Sequence, residues 1–236
     1  MTVVAYDPAM AEVGVVFVHG SGRSGRSAWP QQVSLGARRD CYFLERVAPG
    51  DPPASVIEHV VGLGLGRCDI VGHSYGVITA LMLAQRHPEL VRSLALVEPA
   101  ALALSQGMPA TDAHVAAMAP VFAQAGDTST SDEEFSTLFA AASGMLAPKV
   151  PADVLSRLVA QLRALTPPWT LPVDPAVVAR VPTLVVASAP DSMYGEVAAV
   201  LGEHGARVGY VPGSGHRPHD GEAFNRQLEE FWQSLR

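Results

Sequence analysis

The sequence predicts an α/β protein: a mostly parallel central sheet covered by helices on both faces, with a helical cap inserted after the strand that ends near Glu98. Three observations carry this. Short β-rich runs alternate with helical patterns, as parallel strands joined by crossover helices do. The first, third, fourth and fifth runs are nearly continuous in apolar residues, as strands buried on both faces are. The alternation then stops over residues 100–170, where helical segments follow one another without a strand.

The strand runs are VGVVFV (13–18), CYFLERV (41–47), CDIVG (68–72), SLALVE (93–98), TLVVAS (183–188) and ARVGYV (206–211), with TVVAY (2–6) as an added edge strand. Between Tyr75 and Arg86 a helix places Ile78, Leu81, Met82 and Gln85 at helical spacing, and Pro88 stops it. A closing helix, Ala223 to Leu235, puts Phe224, Leu228, Phe231 and Trp232 on one face. Residues 100–126, 131–146 and 151–165 read as three further helices, and Ser131 with Glu134 forms a capping-box pattern at the second. TPPWTLP (166–172) reads as an extended return to the sheet. A crossover needs only about a dozen residues. Residues 100–170 are therefore read as a cap, and 1–99 with 171–236 as the core domain, against the plainer alternative of ordinary crossover helices.

Composition narrows the function. With 236 residues, 48% of them hydrophobic, the chain can bury one sizeable core. A net charge of −7 argues against nucleic acid or an anionic membrane surface as partner. No apolar run approaches the roughly 20 residues of a membrane span. The start, MTVVAYDPAMAEVG, lacks a basic segment followed by an apolar one, so no signal peptide is expected and the protein is read as cytoplasmic. In that setting Cys41 and Cys68 are read as thiols, not a disulfide. The expected partner is a small-molecule substrate, and the expected state a monomer or homodimer.

Gly72-His73-Ser74-Tyr75-Gly76 is a G-x-S-x-G between a buried strand and an apolar helix. A sharp strand-to-helix turn there would lift Ser74 Oγ above the carboxyl end of the sheet. The turn strains its central residue and needs small neighbours two positions away, which Gly72 and Gly76 supply. A serine hydroxyl needs a base to take its proton. His216, in YVPGSGHRPHD, stands just past the last strand run, at another carboxyl end. His219 is the near competitor; His216, His219 and Asp220 resemble a metal set, but no second ligand cluster supports one, and neither metal nor cofactor is expected. His73 is read as a packing or hydrogen-bonding residue. The base in turn needs an orienting carboxylate. Asp191, in APDSMY after the fifth run, gives the chain order Ser, Asp, His and is preferred; Glu98, at the end of LALVE, is the alternative acid.

The loop Gly20-Ser21-Gly22-Arg23-Ser24-Gly25-Arg26-Ser27 is one residue type from a phosphate loop, but has Arg26 where that motif needs lysine, and Pro30 follows too soon for a helix. GLGLGR (62–67) similarly lacks the last glycine of a dinucleotide motif and precedes a strand. The first loop is better read as a donor of backbone amides: when Ser74 attacks a carbonyl, the N–H groups of Ser21 and Tyr75 would hold the developing oxyanion. His19, Gly20 and Gly22 then border the substrate pocket, and Met118, Phe122, Phe139 and Met145 of the cap would show it an apolar face.

A strand ending in HGSG, the elbow GHSYG, an acid after a later strand and SGH after the last strand together resemble the α/β-hydrolase family from Val13 to the C-terminal helix. The resemblance implies nucleophile Ser74, base His216, acid Asp191 and oxyanion amides from Ser21 and Tyr75, with the cap in its usual place after Glu98. Two departures stand out: SAPD lacks a glycine often found before the aspartate, which leaves room for Glu98, and APGDPP lacks a Gly-x-Gly ending. The implied function is a serine hydrolase cleaving a carboxylic ester, lactone or thioester with an apolar acyl part through an acyl-Ser74 intermediate. The alternatives are a cofactor-free lyase of the hydroxynitrile-lyase type on the same three residues, and a non-catalytic ligand-binding member. An active-site lysine would favour the lyase, and Lys149 is the single lysine of the chain.

Overall fold

A computed structural model of the protein describes residues 13–235; the run at 2–6 lies outside the described residues. All six other strand runs form strands: β1 (Val15–Val18), β2 (Cys41–Phe43), β3 (Cys68–His73), β4 (Val91–Val97), β5 (Thr183–Ala187) and β6 (Arg207–Tyr210). They make one sheet in the order β2-β1-β3-β4-β5-β6, parallel throughout. The helices are α1 (Gly25–Ala28), α2 (Pro53–Gly62), α3 (Gly76–Arg86), α4 (Pro109–Ala123), α5 (Asp132–Ala142), α6 (Ala152–Arg163), α7 (Met193–Glu203) and α8 (Glu222–Gln233).

Side chains of β1 alternate between two cores. Val16 and Val18 pack with α2, α3 and α7 through Val60, Ile78, Leu81 and Leu201; Val15 and Phe17 pack on the other face with Trp29 and with Phe224, Leu228, Phe231 and Trp232 of α8. Strand order reverses between β1 and β3, and in open parallel sheets ligands collect at the carboxyl ends beside such a reversal.

Two expectations change in detail. CYFLERV pairs only as far as Phe43: Leu44 N–H still donates to Phe17 O at 3.1 Å, but Arg46 turns to Asp51 at 2.7 Å, and the chain leaves the sheet. TPPWTLP contains a 3₁₀ turn at Pro168–Thr170. Helices α4, α5 and α6 follow one another between β4 and β5, and Ser131 Oγ accepts Glu134 N–H at 3.2 Å at the start of α5.

The strand that leads to Ser74 is anchored at its opposite end. Asp69, fully buried, receives Arg92 Nε and Nη2 at 2.8 and 2.7 Å and Ser93 Oγ at 2.5 Å, with Arg39 at 3.6 Å, beside a register shift between β3 and β4. Removing one member of a buried pair strands the other. Asp69→Ala should therefore lower unfolding free energy by about 3–5 kcal/mol in urea titration; a loss within about 0.5 kcal/mol, the range of ordinary surface substitutions, would contradict this anchoring.

Candidate active site

Ser74 follows β3 and lies two residues before α3, with φ +53°, a left-handed conformation that non-glycine residues rarely adopt. Its N–H donates to Val97 O at 2.9 Å, and its carbonyl accepts Val77 N–H at 3.0 Å, so the turn is held from both sides. The glycines are required sterically: a Cβ on Gly76 would lie 2.4 Å from His19 O and 2.6 Å from Val18 O, and one on Gly20 would lie 3.1 Å from Ser74 Cβ. Tyr75 heads α3, where the helix dipole is positive. Across from it, Arg46 Nη2 donates to Ser21 O at 2.5 Å while Nη1 holds Asp51 Oδ2 at 2.7 Å, pinning the Ser21 loop. Asp51 belongs to the APGDPP loop, and its other oxygen accepts Val47 N–H at 3.0 Å.

The structure places the two candidate acids in different surroundings. Asp191 is exposed in the turn before α7, whereas Glu98 is 1% exposed and sets Oε2 3.5 Å from His216 Nδ1. Glu98 Oε1 accepts the Ser188 N–H, while Oε2 faces His216 Nδ1 without yet forming a hydrogen bond. Glu98 also has left-handed backbone, φ +46°, and repeats the Ser74 arrangement one strand further on: its N–H donates to Val186 O at 2.9 Å. An imidazole held through Nδ1 has Nε2 on its opposite edge, and the His216 side chain, 29% exposed, opens to the cavity that Ser74 also lines.

His73 and His219 pack around His216. The His73 ring is tilted against its neighbours, 4.7 Å from His216 and 4.3 Å from His219, ring centre to ring centre, and donates Nε2–H to the His216 carbonyl at 2.9 Å. His219 is fully buried against Trp29 and faces Ala28 O at 3.2 Å. A carbonyl only accepts, so both rings carry their proton on Nε2. Two site neighbours carry no sequence motif: Tyr194 of α7, its ring centre 4.9 Å from His216, and His114 of α4, whose pKa burial and then His216 hold below its usual value.

Two cavities meet at Ser74. The larger, about 240 Å³, lies between Gly20, Ser21, Gly22 and Arg23 on one side and Phe139, Met145, Leu146, Leu158 and Leu162 on the other. The smaller, about 70 Å³, adds Tyr75, His114, Met118, Phe122 and Tyr194. Of the residues expected to border the pocket, His19 lines neither: it is buried, with Nδ1 donating to Gly20 O at 2.8 Å. Among the described residues no group of three or more histidines, cysteines and carboxylates is arranged to hold a metal, and no helix is long and apolar enough to cross a membrane.

A family model described as "Alpha/beta hydrolase family" matches residues 15–227. The chain belongs to the α/β-hydrolase family. A 2-hydroxymuconate semialdehyde hydrolase of Pseudomonas putida is 36% identical over 97 residues, covering 35% of this chain and 34% of that protein, so the match spans about a third of the curated relative. The solved structure of NosK from Streptomyces actuosus is 22% identical over 95% of this chain and 99% of its own, with a TM-score of 0.61. A carboxylesterase structure from Nitrososphaera gargenis is 15% identical over 98% and 93%, with a TM-score of 0.66. At these identities the structures share the fold.

The buried histidines give this protein a defined pH response. Burial, reinforced by Arg217, lowers the His219 pKa to about 3, and burial with the neighbouring histidines holds His73 well below its usual range. Both groups titrate near 6.5 when unfolded. Below about pH 6.5 the unfolded chain therefore binds more protons than the folded one, and stability falls with pH, by up to about 1.4 kcal/mol per pH unit for each histidine. Urea midpoints should drop steadily from pH 6.5 to 5, and His219→Gln should flatten that slope. A midpoint that stays level across this window would contradict the neutral, buried assignment.

Proposed function

We propose that the protein is a serine hydrolase of carboxylic esters, lactones or thioesters with an apolar acyl part, acting through an acyl-Ser74 intermediate. The observation that carries this is Ser74 in a left-handed turn at a strand end, where Gly76 has no room for a side chain. Strain of this kind persists only where the surroundings over-determine it, and it presents the hydroxyl for attack. His216 takes the Oγ proton as Oγ bonds to the substrate carbonyl carbon. The amides of Ser21 and Tyr75 hold the oxyanion, each such donor being worth several kcal/mol, about 3–4 in a measured case. His216 then gives its proton to the leaving atom, and a water it deprotonates releases the acid. Glu98, in place of Asp191, orients His216 and stabilises the imidazolium.

Residues 100–170 act as a cap on this reading. Phe139, Met145, Leu146, Leu158 and Leu162 supply the apolar wall of the larger cavity for the acyl chain. Lys149 is exposed and lines neither cavity, which removes the lysine that would favour the lyase. The Pseudomonas putida relative is named a hydrolase, consistent with bond cleavage by water as the class of reaction.

Ser74→Ala should leave a folded protein with kcat toward short p-nitrophenyl esters reduced by up to about 10⁶. More than a few per cent residual activity would refute the mechanism. Glu98→Gln should lower kcat by about 10⁴, as the equivalent change does in a protease triad, and Asp191→Asn should have little effect; the reverse order would return the acid to Asp191. Each methylene buried contributes about 0.8 kcal/mol, so kcat/KM should rise with acyl length until the cavity is full. Steady decline from acetate onward would exclude an apolar acyl site.

A further inference from the structure

Tyr194 reaches the site from an element that carries no motif. It is the second residue of α7, whose start is fixed by Ser192 Oγ accepting Gly195 N–H at 3.0 Å. Its ring lies on the His216 imidazole with centres 4.9 Å apart and planes 25° from parallel. It lines the same cavity as Ser74 and His216, with its hydroxyl within electrostatic reach of Ser74 and Glu98. Tyr194 therefore packs on the proposed base and shares a cavity with the proposed nucleophile. A phenylalanine would fill the same stack. The hydroxyl is the part that packing does not explain, because an apolar setting penalises a polar group without a partner.

We propose that Tyr194 is a further catalytic residue, its hydroxyl donating a hydrogen bond to Ser74 Oγ whenever that oxygen carries negative charge. The inference rests on Ser74 being the nucleophile. In acylation the Oγ–H bond breaks, the proton passes to His216 Nε2, and the Oγ–carbon bond forms; Tyr194 keeps its own proton and stabilises the charge that builds on Oγ. In deacylation water gives a proton to His216, the carbon–Oγ bond breaks, and Oγ departs bearing charge until His216 returns a proton. The same donor serves there. Burial, followed by the Glu98 charge, pushes the phenol far above its ordinary range, so it remains a neutral donor throughout the working pH range.

The test measures the second-order rate of inactivation by a fluorophosphonate probe, which reports Ser74 reactivity without turnover, beside steady-state ester kinetics. Tyr194→Phe keeps the ring on His216 and removes the donor. It should lower kcat and the phosphonylation rate together by about 10- to 100-fold, with KM nearly constant and the acid limb of the pH profile unmoved. Tyr194→Leu, which also removes the stack, should lower both rates and shift that limb. Phosphonylation of Tyr194→Phe at the wild-type rate would overturn the proposal, as would equal shifts of the acid limb in both variants, since the ring would then act only as support for His216. Wild-type protein that the probe fails to label would overturn the Ser74 mechanism itself, a result distinct from either.

Discussion

The Glu98 carboxylate is the interaction on which the site depends. It sits at the end of β4, nearly without solvent contact, with one oxygen taken by the Ser188 amide after β5 and the other facing His216 after β6. Three neighbouring strand ends are thereby tied together by one side chain. Burying a carboxylate is costly unless hydrogen bonds and a positive partner compensate it. Here the amide compensates it at all times and the imidazole most strongly when protonated, the state that His216 would reach midway through the proposed acyl transfer. The resting gap of 3.5 Å leaves the imidazole room to tighten on its partner as charge develops.

The backbone around this carboxylate is strained in a pattern. Ser74, Glu98 and Asp51 have φ of +53°, +46° and +43°. Two of them stand at adjacent strand ends, and the third holds the arginine that pins the Ser21 loop. Left-handed conformations of this kind cost roughly 1–2 kcal/mol each. Ser74 and Glu98 are held by backbone bonds to the next strand, and the Asp69–Arg92 anchor lies at the far end of β3 and β4. Stability is thus concentrated at one end of the sheet and strain at the other.

Much of this was legible in the sequence, for a local reason. Apolar runs such as VVFV and the helical stripe of Phe224, Leu228, Phe231 and Trp232 encode burial directly, and both form as read. The elbow was legible because Gly72, Ser74 and Gly76 solve a steric problem within five residues. The acid was not. Glu98 and Asp191 both follow strands, and choosing between them depends on which strand end the His216 loop reaches, a distance that spacing along the chain does not contain. Loop position favoured Asp191, since both acids fall between Ser74 and His216 in the chain; burial and the Ser188 amide favour Glu98 as the proposed acid. His19 adjoins the Ser21 loop, but its imidazole turns inward to Gly20 O, a turn that spacing along the chain does not show. Tyr194 and His114 carry no signal at all, since each enters the site through helix packing across more than twenty residues of chain.

The central claim, that Glu98 and no other carboxylate orients His216, is tested most directly by proton NMR of the imidazole Nδ1–H in the resting enzyme at low pH. A proton shared between that nitrogen and a buried carboxylate resonates far downfield of ordinary amides. The account predicts such a resonance in the wild type and in Asp191→Asn, and its loss in Glu98→Gln. A resonance that survives Glu98→Gln and disappears in Asp191→Asn would contradict it.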